Sequence, residues 1–209
     1  YVDFDEDKII SNLEDGVPLF PLGNMVFFPN TVIPLHIFEE RYKQMIDDSV
    51  SSHNLICMTL MQDDMKDDDL AISKIGCVGR IISNEEGEEG KKNIILYGIT
   101  RIHIDEIIYS KPYRQAKINI IKSKKTSDND PLYKRITDLV GEWNLLLEDY
   151  NDNYKIKVDQ SSTLSKLTDS LSSIIVSSPS ERQYLLEELD EGKRAVRIIE
   201  VLESRIDYL

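Results

Sequence analysis

The chain is short of cysteine, of basic charge and of long apolar runs, and each shortage removes a class of protein. Two Cys in 209 residues cannot build a disulfide framework. Both lie inside apolar runs, which points to a reducing compartment and a cytoplasmic protein. No apolar stretch approaches the ~18 residues that read as a membrane span. The N-terminal run Tyr1-Val2-Asp3-Phe4-Asp5-Glu6-Asp7 is acidic and is no signal peptide; it also lacks Met, so an upstream segment is expected to be missing. Against 38 acids stand only 25 bases, a net charge of −13, which opposes nucleic acid and anionic membrane as partners. The deficit is not a tail: 15 bases face 21 acids up to residue 127, and 10 face 17 beyond it. Three His and two Cys, scattered along the chain, offer no metal-ligand spacing, and no cofactor is expected.

What is present is ordinary globular material, 41% hydrophobic and 30% charged, long enough for one large domain or two small ones with a real core. The first half has strand character. Val17 to Leu22 holds Pro18 and Pro21 and is expected as an edge strand or extended segment. Met25 to Phe28 precedes a Pro29-Asn30 turn signal, and Thr31 to Phe38 is extended around Pro34. Glu39 to Val50 changes period: Tyr42, Met45, Ile46 and Val50 recur at helical spacing. Leu55 to Met61 is a buried-strand pattern. Gln62 to Asp69 carries five Asp in eight residues; it lacks the Gly and Glu of an EF-hand, so a solvated loop is favoured over a Ca²⁺ site. Ile75 to Ile82 and Asn93 to Gly98 flank a Gly- and Glu-rich loop as a hairpin. Alternation at Ile102/Ile104 and at Ala116/Ile118/Ile120 predicts further strands.

Near residue 122 the chain turns polar, and beyond it the apolar period is helical. Leu132, Ile136, Leu139, Val140, Trp143, Leu146 and Leu147 form one stripe, and Leu164, Leu167, Leu171, Ile174 and Ile175 another. Ser178-Pro179 predicts a helix start, Gly192 its end, and Val196, Ile199, Leu202 and Ile206 a last helix. The expected organisation is an extension at 1–15, a β-rich subdomain at 16–122, a linker at 123–130 and a helical subdomain at 131–209. The fold class is α+β.

Several segments match a known family together. Pro18-Leu19-Phe20-Pro21-Leu22, Phe28-Pro29, Pro34-Leu35-His36-Ile37-Phe38-Glu39 and Arg41-Tyr42 resemble the N-terminal substrate-binding domain of Lon proteases. Gly76-Cys77-Val78-Gly79-Arg80-Ile81 and Tyr97-Gly98-Ile99-Thr100-Arg101-Ile102 resemble two of its strands. Glu181-Arg182-Gln183-Tyr184-Leu185-Leu186-Glu187 resembles a segment of its helical bundle, with Arg182 where Lys is usual. The resemblance implies a PUA-like β pseudo-barrel with an inserted helix, followed by a C-terminal α-helical bundle. It also implies a protein or peptide partner. The ATPase and peptidase motifs of Lon are missing: no G-x-x-x-x-G-K-[ST] occurs, and Gly87-Glu88-Glu89-Gly90-Lys91 places carboxylates where a phosphate would sit. The chain therefore resembles the stand-alone proteins built on this domain, and no enzymatic activity is expected.

The prolines Pro18, Pro21, Pro29 and Pro34 lack backbone donors, and such an irregular edge could accept an extended peptide by strand addition. The candidate peptide-binding residues are Phe28, Pro34, Leu35, His36, Phe38, Glu40, Arg41 and Tyr42. Bland alternatives stand beside them: His36 bonded to local backbone, Arg41 neutralising Glu39, and Tyr42 packing inward. Cys57 and Cys77 are expected as core residues, His53 and His103 as exposed. Two functions from different classes fit: a non-enzymatic module recognising unfolded or exposed apolar segments, or an adaptor docking through its helical half on one folded partner such as a protease or chaperone. A hydrolase is disfavoured because no nucleophile elbow occurs. RNA binding rests on fold analogy alone.

Overall fold

The computed structural model describes residues 16–62, 72–126, 131–147, 155–159 and 162–208. The expected N-terminal extension, the Asp-rich stretch 63–69 and residues 127–130 of the expected linker lie outside them. Two compact units part between Lys122 and Ser123.

The first unit holds β1 (Val17–Leu22), β2 (Val32–Ile37), α1 (Glu40–Val50), β3 (Leu55–Leu60), β4 (Ile75–Glu86), a 3₁₀ turn (Glu88–Gly90), β5 (Lys92–Ile108) and β6 (Gln115–Ile121). Its single sheet runs β2-β5-β4-β3-β1-β6, and β6 also pairs with β5. The sheet thus curls back on itself as a pseudo-barrel rather than closing evenly. The short seam is β1–β6, paired at Val17↔Ala116 and Pro18↔Gln115 and continued by the Leu19 N–H, which donates to the Arg114 carbonyl at 2.8 Å; by alternation the donor missing at Pro18 lies on the side away from β6. β1 is nonetheless not an edge strand, because it also pairs in parallel with β3.

Both sheet faces are buried over β3, whose six residues are all buried. Alternation sends Leu55 and Cys57 to a cluster with Val17, Leu19, Val78, Ile102, Ile104 and Ala116. Ile56 and Met58 go to a second cluster with Phe20, Phe27, Leu35, Ile37, Ile94, Leu96 and the inner face of α1. On α1 that face is Tyr42, Met45, Ile46 and Ser49, the spacing of a surface helix. Cys57 and Cys77 are fully buried thiols, and burial pushes the Cys57 thiol far up.

Three expectations fail here for identifiable reasons. The hairpin is longer than the apolar runs suggest, because Asn84, Glu85 and Glu86 continue the ladder opposite Ile94, Asn93 and Lys92. The predicted strand ending at Gly98 and the one at Ile102 are a single strand, β5. Met25–Phe28 is not a strand. It is a loop whose Val26, Phe27 and Phe28 are buried, and Gly98 admits it. A Cβ there would lie 2.1 Å from the Phe28 carbonyl oxygen. Asn30, at φ 59, turns the chain back toward β2.

The second unit contains α2 (Pro131–Leu146), α3 (Leu164–Ile175), α4 (Pro179–Glu187) and α5 (Glu191–Ile206). Side chains cap three of them: Thr163 for α3, Ser178 for α4 and Asp190 for α5. Gly192 does not end α4; it lies in the first turn of α5, where its N–H donates to Asp190. Residues 123–126 of the expected linker dock on this unit. Lys124 forms a parallel bridge with Asp190, and its N–H donates to the Leu189 carbonyl at 2.8 Å. The buried face of α5 is Arg194, Ala195, Ile198 and Leu202, leaving Val196 46% exposed. An apolar stripe cannot anticipate an inward-facing arginine. No helix among the described residues is long and apolar enough to cross a membrane.

Candidate functional site

The segment where motif and proline coincide divides into three environments. Phe28, Leu35 and Tyr42 are core residues. Phe28 is fully buried in the 23–31 loop, and Leu35 points inward from β2. Tyr42 packs edge-to-face on Phe20, with ring centroids 4.6 Å apart. Burial raises the Tyr42 phenol pKa. These three candidates cannot touch a partner while the unit is folded.

Phe38, Glu40 and Arg41 lie exposed at the entrance to α1. Arg41 bridges to Glu39 at 2.9 Å and stacks its guanidinium 4.6 Å from the Tyr42 ring centroid. Glu40 pairs with Lys43 at 2.8 Å. Beside them an open groove runs between α1 and the hairpin tip, lined by Arg41, Gln44, Asp47, Glu86 and Lys92 among others. Lys92 is held there by Asp47 at 2.5 Å. Much of the groove's charge is spent on itself, which makes it a poor apolar receptor. Phe38, 66% exposed, stands at its end of β2 as the exception.

Pro34 and His36 face outward on β2. The register places Val32, Pro34 and His36 opposite Tyr97, Ile95 and Asn93 of β5. The His36 Nδ1–H donates to Asn93 Oδ1 at 2.6 Å, a side-chain partner across the strand rather than local backbone. On the far side of β5, Ile95 also faces Ser83 of β4. A register shift between Ile81 and Ser83 inserts Ile82 into that row as the extra residue of a bulge. Val32 and Ile82 are each 54% exposed and Ile95 38%; Pro34 is also exposed. Three adjacent strands therefore carry one apolar outer strip, Val32–Pro34–Ile95–Ile82. Sequence reasoning named Pro34 alone of these four. Period-2 alternation through Asn93, Ile95 and Tyr97 was a usable signal for Ile95, but the bulge that turns Ile82 outward has no sequence signature here.

β2 is also the end strand of the sheet order, but its open edge is a poor template for strand addition. The Gly98 N–H donates to the Thr31 carbonyl at 2.9 Å, so by antiparallel alternation residues 33, 35 and 37 bond to β5. Residues 32, 34 and 36 then aim their backbone groups outward. Pro34 leaves the middle of that edge without a donor.

The remaining candidates for chemistry are occupied. His53 is half-buried, not solvated, and accepts the Leu55 N–H on Nδ1 at 3.0 Å. His103 bonds Asp105 at 2.8 Å. Among the described residues no three His, Cys, Asp or Glu side chains gather as a metal site would need.

The chain is similar to known proteins over most of its length. The ATP-dependent protease La (LON) substrate-binding domain model matches residues 16–204. Lon protease of Flavobacterium johnsoniae is 32% identical over 145 residues, covering 66% of this chain and 17% of that protein. Lon protease of Dictyoglomus thermophilum is 24% identical over 203 residues, covering 95% of this chain and 25% of that protein. The chain thus spans a quarter or less of the length of these relatives. The N-terminal domain of a Mycobacterium avium complex Lon protease superposes with a TM-score of 0.66 at 14% identity, over 90% of this chain and 98% of that one. A Lon N-terminal domain protein from Xanthomonas campestris gives 0.65 at 20% identity, over 88% and 97%. With the family model covering residues 16–204, the chain belongs to the Lon substrate-binding domain family.

Proposed function

We propose that the protein binds polypeptides without chemistry, taking exposed apolar segments of non-native chains on the outer strip of β2, β5 and β4. The single observation carrying this is the strip itself: Val32, Pro34, Ile95 and Ile82 are contiguous through the sheet register and exposed to solvent. A contiguous apolar patch on the surface of an acidic protein marks an interaction site. Family membership supports the substrate class, since the matching family is described by substrate binding. Binding rather than catalysis fits the histidines, whose partners are Asn93, Asp105 and a backbone amide and not a Ser, Thr or Cys hydroxyl or thiol. Burying one aliphatic side chain contributes about 1.5–3 kcal/mol, so two or three such contacts reach micromolar affinity only with an extended, adaptable partner.

Anisotropy titration of the chain against a permanently unfolded, fluorescently labelled protein tests the reading. Saturable micromolar binding is expected, weakened at least tenfold by Ile82→Ser with Ile95→Ser. Equal binding by that double variant, with its circular dichroism unchanged, would refute the assignment.

An adaptor role has one specific observation in its favour. Tyr184 is 57% exposed and lines a depression with Ser180, Glu181, Arg197 and Glu200, and Tyr and Arg are residue types that dominate interface energetics. Tyr184→Ala separates the two functions: it abolishes capture of a single folded partner but leaves unfolded-chain binding intact.

A further inference from the structure

The outer strip has electrically unlike ends. Moving from Ile95 toward the hairpin tip, Asn93 faces Glu85 and Lys92 faces Glu86, with Glu88 just beyond. Glu85, Glu86 and Glu88 are all exposed. Of the neighbouring lysines, Lys92 is held by Asp47 and Lys43 by Glu40, and the exposed Lys91 follows the turn. At the other end Tyr97 stands opposite Val32 and Arg80. Glu85 lies two residue steps from the Ile95 row, about 7 Å along an extended backbone.

We propose that the strip selects apolar segments carrying lysine or arginine at one end, with the base over the acidic tip of the β4–β5 hairpin. The inference rests on the peptide-binding function proposed above and adds its selectivity. An extended ligand whose apolar side chains cover Ile95 and Ile82 brings the side chain two or three residues onward within reach of Glu85, which shares their face opposite Asn93; Glu86, opposite Lys92, lies on the other face. A carboxylate there meets like charge, and a base meets opposite charge. Because the glutamates are exposed, the preference is screened by salt and acts on encounter rate as well as affinity.

The test uses the full chain and three labelled peptides sharing one Val/Ile-rich core, tagged at one end with Lys-Lys, Ser-Ser or Glu-Glu. The expected affinity order is Lys, Ser, Glu, with Lys and Glu about tenfold apart at low salt and converging in high salt. Charge reversal at the tip (Glu85→Lys, Glu86→Lys, Glu88→Lys) is expected to invert the order. Equal reversal on the helical unit (Glu142→Lys, Glu187→Lys, Asp207→Lys) is expected to preserve it, which separates a local contact from the net charge. Three peptides binding equally would overturn the selectivity and leave the binding function standing. No binding by any of them would overturn both. An order that survives reversal at the tip would overturn the location.

Discussion

Arg194 Nε stands 3.7 Å from Asp169 Oδ1, and neither side chain reaches solvent. The same guanidinium donates to the Glu188 carbonyl at 2.8 Å, Ser123 Oγ at 3.2 Å and Ser165 Oγ at 2.9 Å. One side chain therefore ties together the start of the helical unit, α3, the residue after α4, and α5. Removing one partner of a buried ion pair strands the other charge, at a cost of about 3–5 kcal/mol, whereas replacing both by apolar groups is often neutral. Arg194→Met is expected to cost that much in urea unfolding, and Arg194→Met with Asp169→Leu to recover a large part. A single-variant loss below about 1 kcal/mol, the range of a surface ion pair, would show that the guanidinium is not a keystone.

Two glycines make opposite predictions. At Gly98 a Cβ would sit 2.1 Å from the Phe28 carbonyl oxygen, a backbone atom with no room to yield. Gly98→Ala is expected to cost at least about 2 kcal/mol, in the range of overpacking. At Gly141, within α2, no atom lies within 4 Å of the added Cβ, and the same change is expected to stabilise by up to about 1 kcal/mol. Thermal unfolding of both variants checks the pair, and equal effects would rule out the packing argument.

The same two positions mark what a sequence can and cannot display. Gly98 and Phe28-Pro29 both belong to the family motif, but their dependence on each other is a contact across the fold. Apolar period placed most of the buried faces of α1 and α3 because burial there follows helical spacing, but it also took in Val50 and Ile174, which are exposed. It misjudged α5, where an arginine occupies the inward face, and it broke β5 in two, because Gly98 imitates a turn while serving a close approach. In the site, Phe28, Leu35 and Tyr42 carry the motif because they pack. Ile82, which the bulge turns out into the exposed strip, lies in a run that looks like any buried strand. A family motif records what the fold requires more readily than what its surface does.

Acid should weaken the first unit in two separate windows. His53 accepts a backbone N–H on Nδ1, and burial, then the Lys111 charge, lower its pKa. A depressed imidazole stabilises the fold above its ordinary value, about 6.5, and that contribution fades as pH falls toward the folded value. Asp48 Oδ2 accepts from Lys111 Nζ at 2.8 Å and Tyr113 Oη at 2.6 Å, anchoring α1 to the β5–β6 connection. Lys111 first, then Tyr113, holds its carboxyl below the usual range. Its contribution is full above the unfolded carboxylate value, about 3.9, and is lost as pH falls through the folded one. Stability against pH should therefore lose its lower step in Asp48→Asn and its upper step in His53→Gln. Superimposable profiles for parent and variants would exclude both assignments.

Pro34 serves the edge of β2 as well as its face. Alternation from the Gly98–Thr31 bond turns the backbone groups of residues 32, 34 and 36 away from β5, and Pro34 removes the middle donor. Open strand edges invite pairing with a second chain, and proline on the edge is one way proteins prevent it. Pro34→Thr restores the donor and favours the strand, so three consecutive outward amides become available. The ladder to β5 loses nothing, because residue 34 does not bond to it. Unfolding midpoints are therefore expected to stay within about 0.5 kcal/mol of the parent, the usual range for a surface change. Sedimentation velocity is expected to show self-association at lower concentration than the parent chain. Pro34→Lys, which supplies the same donor with a charge, should associate less than Pro34→Thr. If the Thr variant sediments as the parent does at every concentration, the donor missing at Pro34 is not what keeps this edge closed.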